Sequence, residues 1–97
     1  MKPNNPENRP QLIAPNGEPI PVPEFYTNSV LINVSPFEVE LQNMLVDSSQ
    51  NLKGAISVRM SPQTAWTLSK ALAKNLADYE ARFGEIALPA EIKKQFD

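Results

Sequence analysis

Seven of the ten prolines in this 97-residue chain fall within its first 24 residues: Pro3, Pro6, Pro10, Pro15, Pro19, Pro21 and Pro23. Proline fixes φ and carries no backbone donor, so neither a helix nor a central strand can run through that density. Residues 1–24 therefore read as a disordered or extended Pro-rich arm. A single α+β domain is expected over 25–88, with a C-terminal tail over 89–97. A foldable body of roughly 60 to 70 residues is marginal alone and usually needs disulfides, metal or self-association. The chain has no cysteine and no histidine, which removes disulfides, zinc fingers, thiolate nucleophiles and histidine bases. Self-association is the support that remains.

Nine basic and eleven acidic residues give a net charge of −2, a balance that argues against nucleic acid or an anionic membrane as partner. No apolar run approaches the ~20 residues of a membrane span, and the arm has no signal-like apolar stretch. A cytoplasmic protein is the expectation. Within the arm, Pro19-Ile20-Pro21-Val22-Pro23 is stiff, and suited to lying along a sheet edge or a partner's groove. The plainer reading is a solvated tail. Pro3 to Pro6 is formally PxxP but is an isolated, weak match to a docking motif.

From Tyr26 the apolar pattern has period two. Val30, Ile32 and Val34 share one face, and Leu31, Asn33 and Ser35 take the other. After Ser35-Pro36 the parity flips to Phe37, Val39 and Leu41. Side chains alternate strictly along a strand, so the slip requires a turn or a one-residue bulge. Ser-Pro lacks the Gly or Asn of tight hairpin turns, which favours one long strand bent at Ser35-Pro36, with a strand break as the alternative. Asp47 to Gly54 reads as a loop closed by a turn-forming glycine. Ile56, Val58 and Met60 then alternate with Ser57 and Arg59 in a further strand. Arg59 is placed to meet Glu38 or Glu40 across an antiparallel pair. The sheet thus has two or three strands, about 27–34, 37–46 and 55–60.

Ser61-Pro62 is a helix start, with serine as N-cap and proline at the first helical position. Ala65, Leu68, Leu72, Leu76, Tyr79 and Phe83 then step by 3, 4, 4, 3 and 4, an amphipathic stripe over a helix of about 62–83. Lys74, Asp78 and Arg82 form a solvated row, and Gly84 fits the position that ends the helix. Ala73, Ala77 and Ala81 make a row of small residues that suits close approach of another helix; the plain alternative is alanine's high helix propensity. Trp66 reads as core or interface. Beyond Leu88-Pro89, a short tail helix ending in Lys93 and Lys94 is expected.

Several ordered motifs carry a family resemblance. They are Phe25-Tyr26-Thr27-Asn28, Val34-Ser35-Pro36-Phe37-Glu38-Val39 and Val58-Arg59-Met60-Ser61-Pro62-Gln63, followed by Leu72, Asn75-Leu76, Tyr79-Glu80 and Phe83-Gly84-Glu85-Ile86. Together they resemble the small prokaryotic family known as domain of unknown function 3467, over about Phe25 to Pro89 and without the arm. The resemblance implies a strand pair or meander followed by a long helix, and implies nothing catalytic. A weaker, fold-level likeness is to the export chaperone SecB, whose subunits pair and offer apolar grooves to unfolded chains. This chain is shorter and lacks most of that fold's strands.

For function, Glu38 and Glu40 at i, i+2 are the one carboxylate pair on a common strand face. Two carboxylates without further oxygen ligands hold calcium or magnesium poorly, and the pair reads as solvent-facing. Ser35 and Ser61 precede prolines, with no histidine to serve as base. Glycine occurs only at 17, 54 and 84, so no glycine-rich phosphate loop is present. A carboxylate-based enzyme is the minor alternative; no cofactor, metal or catalytic residue is assigned. The expected protein is a homodimer or tetramer that binds another protein through a sheet edge or the arm. The alternative within the binding class is a SecB-like chaperone. The candidate oligomer or partner interface comprises Trp66, Ala73, Ala77, Ala81 and Leu31.

Overall fold

The computed structural model describes residues 10–96. Three strands, β1 (Ser29–Val34), β2 (Val39–Val46) and β3 (Leu52–Met60), form an antiparallel sheet in the order β1-β2-β3. Two helices follow, α1 (Pro62–Phe83) and α2 (Ala90–Gln95). The fold is the α+β arrangement expected from the change of apolar period after Met60.

Cross-strand register sorts the side chains into two faces. Val34, Val39 and Met60 are partners, as are Ile32, Leu41 and Val58, and Val30, Asn43 and Ile56. Directly paired residues point to the same side of a sheet, so these triplets make one nearly unbroken apolar face. The other face is polar, built on Asn33, Glu40 and Arg59 and on Leu31, Gln42 and Ser57.

The expectation of one long strand bent at Ser35-Pro36 is overturned: β1 and β2 are separate strands joined by a hairpin over residues 35–38. The apolar parity flips because the chain reverses, with Val34 opposite Val39. A serine side chain supplies what Gly or Asn supplies elsewhere. Ser35 Oγ accepts the backbone N–H of Phe37 at 3.3 Å and of Glu38 at 3.1 Å, while Ser35 N–H donates to the Glu38 carbonyl at 2.9 Å. The sheet does contain a register shift, but it falls between Leu45 and Val46, opposite Gly54 and Leu52.

The loop between β2 and β3 is shorter than its composition implies, because Leu52 to Gly54 already lie in β3. Gln50 takes the left-handed backbone position at φ 65°. Gly54 is not a turn residue. A Cβ there would sit 3.3 Å from Phe25 Cε1 and 3.7 Å from Cζ, so the glycine makes room for the Phe25 ring against the strand.

Serine at position 61 caps α1, its side chain accepting the Thr64 N–H at 3.1 Å. Gly84 ends the helix at φ 93°, donating its N–H to the Glu80 carbonyl; that backbone conformation suits glycine. Tyr79 and Phe83, one turn apart, pack at a tilt of 51° with ring centroids 5.0 Å apart. Pro89 precedes α2 as its N-cap residue.

Within the arm, where proline density predicts disorder or an extended run, the chain turns back on itself between Leu12 and Ile20. Gly17 donates to the Ala14 carbonyl, Ala14 to Glu18 and Ile20 to Leu12, each at 2.8 Å. Ile13 and Pro19 form an antiparallel bridge. Pro15 and Asn16 occupy the turn centre, and Gly17 at φ 89° provides the left-handed residue of a three-residue hairpin. The PxxP segment Pro3–Pro6 lies outside the described residues.

None of the described residues is buried. Ile32 is 63% exposed and Val34 74% on the apolar face of the sheet. Helix α1 meets the sheet only sparsely, chiefly through β3, the strand it follows. Only Ser61 separates β3 from α1, and it is extended at φ −67°, ψ 156°. The radius of gyration is 16.4 Å, against about 12.5 Å for a compact chain of this length. The accessible surface is 8663 Å², against roughly 5,500 Å² for a folded monomer of this mass.

Candidate interaction surface

The largest chemical feature of the molecule is apolar surface on two separate elements. The sheet contributes the face centred on Ile32, Leu41 and Val58. The helix contributes the stripe from Ala65 to Phe83, in which Leu72 is 53% exposed and Leu76 42%. Period-two and period-3.6 patterning built both as one-sided surfaces, but the fold brings neither against the other. Both patterns imply core residues, and neither tells which chain supplies the cover. The one sequence signal bearing on that question is the single residue between strand and helix.

The opposite face of the sheet holds a compact polar ladder. Glu40 lies directly between Asn33 and Arg59 in register. Its carboxylate accepts the Ser57 hydroxyl and, at 3.1 Å, the Asn33 side-chain amide. Arg59 Nε is 4.0 Å from Glu40 and 3.8 Å from Glu38, so the cross-strand pairing foreseen for Arg59 forms with both carboxylates. The Ser57 and Asn33 hydrogen bonds, with help from Arg59, hold the Glu40 carboxyl below its ordinary range. One guanidinium therefore already occupies the two carboxylates, and the ladder works as a register device. Among the described residues, no three His, Cys, Asp or Glu side chains are gathered as metal ligands.

The five residues singled out from sequence fall into two groups. Trp66, Ala73, Ala77 and Ala81 lie on α1, all exposed, and Trp66 precedes Ala73 by seven residues, so the two share a face. The Trp66 ring carries Lys70 Nζ at 5.6 Å from its centroid, a cation–π contact within one helix turn. Leu31 is on the sheet, 54% exposed and on the polar face opposite Gln42. The fold does not bring Leu31 together with the helix row. The apolar sheet face and the Leu72 stripe, read from sequence as interior, are the larger candidate surface.

At the strand ends, side chains complete the ladder. Asn28 donates its amide to the Val46 carbonyl at 2.8 Å and accepts the Val46 N–H at 3.0 Å. The Thr27 hydroxyl donates to the Met44 carbonyl at 2.8 Å. Thr27 and Asn28 thus extend β1 by side-chain pairing, which gives those two residue types a structural reason.

An antiparallel meander followed by a long, uncovered amphipathic helix defines a small α+β fold with no buried interior among the described residues. The chain belongs to the family described as protein of unknown function (DUF3467), whose model matches residues 2–88. That match corrects the narrower extent drawn from motifs alone, since it takes in the proline-rich arm. No curated protein and no solved structure matches the chain. No helix among the described residues is long and apolar enough to cross a membrane.

Proposed function

We propose that the protein is a self-associating, non-catalytic protein-binding module, a homodimer or tetramer that holds another protein through its sheet edges or its proline-rich arm. One observation carries this reading: apolar side chains on both sheet and helix stay open in the single chain. Contiguous exposed apolar surface on this scale marks interaction sites. The non-catalytic part rests on the absence of histidine and cysteine and on the occupation of Glu38 and Glu40 by Arg59. The arm is included because it forms its own hairpin and lies within the family match.

Sedimentation equilibrium over a range of micromolar concentrations tests the association. The expected result is a dimer or larger species throughout; a stable monomer overturns the reading. The exposed sheet face also suits a chaperone that takes unfolded segments. Suppression of the aggregation of an unrelated unfolded protein would support that second reading, and a single stoichiometric partner lost on removal of residues 1–24 would support the first.

A further inference from the structure

We propose that α1 of one copy lies across the apolar sheet face of a second copy, and that the exchange is reciprocal. This rests on the self-association proposed above and names the surfaces that meet. The connection between β3 and α1 is the first ground. Strand-to-helix loops that lay a helix back over its own sheet commonly take 2–6 residues. Here the only linker is Ser61, extended, followed by a proline that fixes φ at the first helical position. The chain leaves the strand and enters the helix without room to reverse. Short connections of this kind favour exchange of an element between copies.

The helix stripe spans 19 residues from Ala65 to Phe83, about 27 Å at the α-helical rise. The apolar triplets run from Ile56 to Met60 along β3, about 14 Å at the antiparallel rise, so a helix laid on the face is covered over about half of its stripe. Charge agrees: neither the paired triplets of the apolar face nor the helix stripe contains an ionisable group other than Tyr79. A strongly charged partner finds no complement there, while the two surfaces suit each other. Area points the same way. The chain exposes about 3,000 Å² more than a compact monomer of its mass. Obligate dimers bury about 1,000–2,500 Å² per chain, an area that lies within this surplus.

The absence of native cysteine makes a direct test available. A Leu72→Cys chain and a Leu41→Cys chain are denatured together, refolded at equal concentration and mildly oxidised. Reciprocal exchange predicts one disulfide-linked species joining the two variants, approaching about half of the dimers by random re-pairing, with little product from either variant alone. Ala77→Cys and Ile32→Cys chains, each oxidised alone, report helix-on-helix and sheet-on-sheet contact. Efficient self-linkage of either, without the Leu72–Leu41 product, overturns the exchange. A second variant avoids dependence on the cysteine mutants folding well: four Gly/Ser residues inserted between Met60 and Ser61 give the helix room to fold back. The expected result is a shift from dimer to monomer in sedimentation, and an unchanged dimer overturns the proposal. A wild-type monomer would instead remove the self-association reading, so the two failures are distinguishable.

Discussion

At the scale of single residues, short polar side chains stand in for backbone wherever a strand begins or ends. Asp47 is the fullest case. Its Oδ1 accepts the N–H groups of Ser49 and Asn51, both at 2.9 Å, and Lys53 lies 3.6 Å from Oδ2. The Asn51 N–H, more than any other contact, holds the Asp47 carboxyl below its ordinary range. A depressed folded-state pKa adds stability above the unfolded value, near 4, and that stability is lost as pH falls through the folded value. Asp47→Asn should therefore lower the urea midpoint at pH 7, and the gap from wild type should narrow as pH drops below the usual carboxylate range. An equal gap at pH 7 and pH 2.5, measured at one chain concentration, would count against this role. Some of these residues are legible in sequence and some are not. Ser61 with Pro62 reads as a helix start because the pair has one dominant use. Ser35 with Pro36 does not read as a hairpin, since a serine closes this turn with its hydroxyl and leaves no glycine behind as a sign.

At the scale of elements, periodicity located α1 and the strand segments but favoured joining β1 and β2 into one bent strand across Ser35-Pro36. What it did not show was the contact between elements. Gly54 is the clearest example. By composition it belongs to a turn, while in the fold it lies within β3 under the Phe25 ring, a partner 29 positions earlier in the chain. A long-range reason of that sort leaves no mark on local pattern. It does make a double-mutant cycle informative. Alanine in place of a strand glycine gains about 0.5–1 kcal/mol where space is free. Gly54→Ala should realise that gain in a Phe25→Ala background and lose most of it against the native ring. A coupling of roughly 0.5–1 kcal/mol is expected from chemical denaturation; strictly additive effects would remove Phe25 as the reason for the glycine. The register shift at Leu45 and Val46 escaped notice similarly, because Lys53, the extra residue, sits in what composition marks as loop.

At the scale of the whole molecule, the sequence signals small size and a need for support, and the fold adds where the deficit lies. Ile32, Leu41, Val58, Leu68 and Leu72 were legible as one-sided apolar positions. Their cover was not, since a hydrophobic pattern records that a face is to be buried and says nothing about which chain buries it. The Ser61 connection has a consequence in time as well as in space. On the exchange proposed above, the apolar sheet face of each polypeptide is covered by the helix of another copy, so its burial awaits an encounter with another molecule. Assembly of that kind has second-order kinetics, with the step that buries the apolar surface depending on chain concentration. Regain of native signal after dilution from urea should accelerate about tenfold for a tenfold rise in protein while association limits the rate. A rate independent of concentration would mean that the chain completes its fold alone. With the second-order course, the protein's own abundance sets how quickly newly made copies become stable, and a scarce copy keeps its apolar face in water for longer.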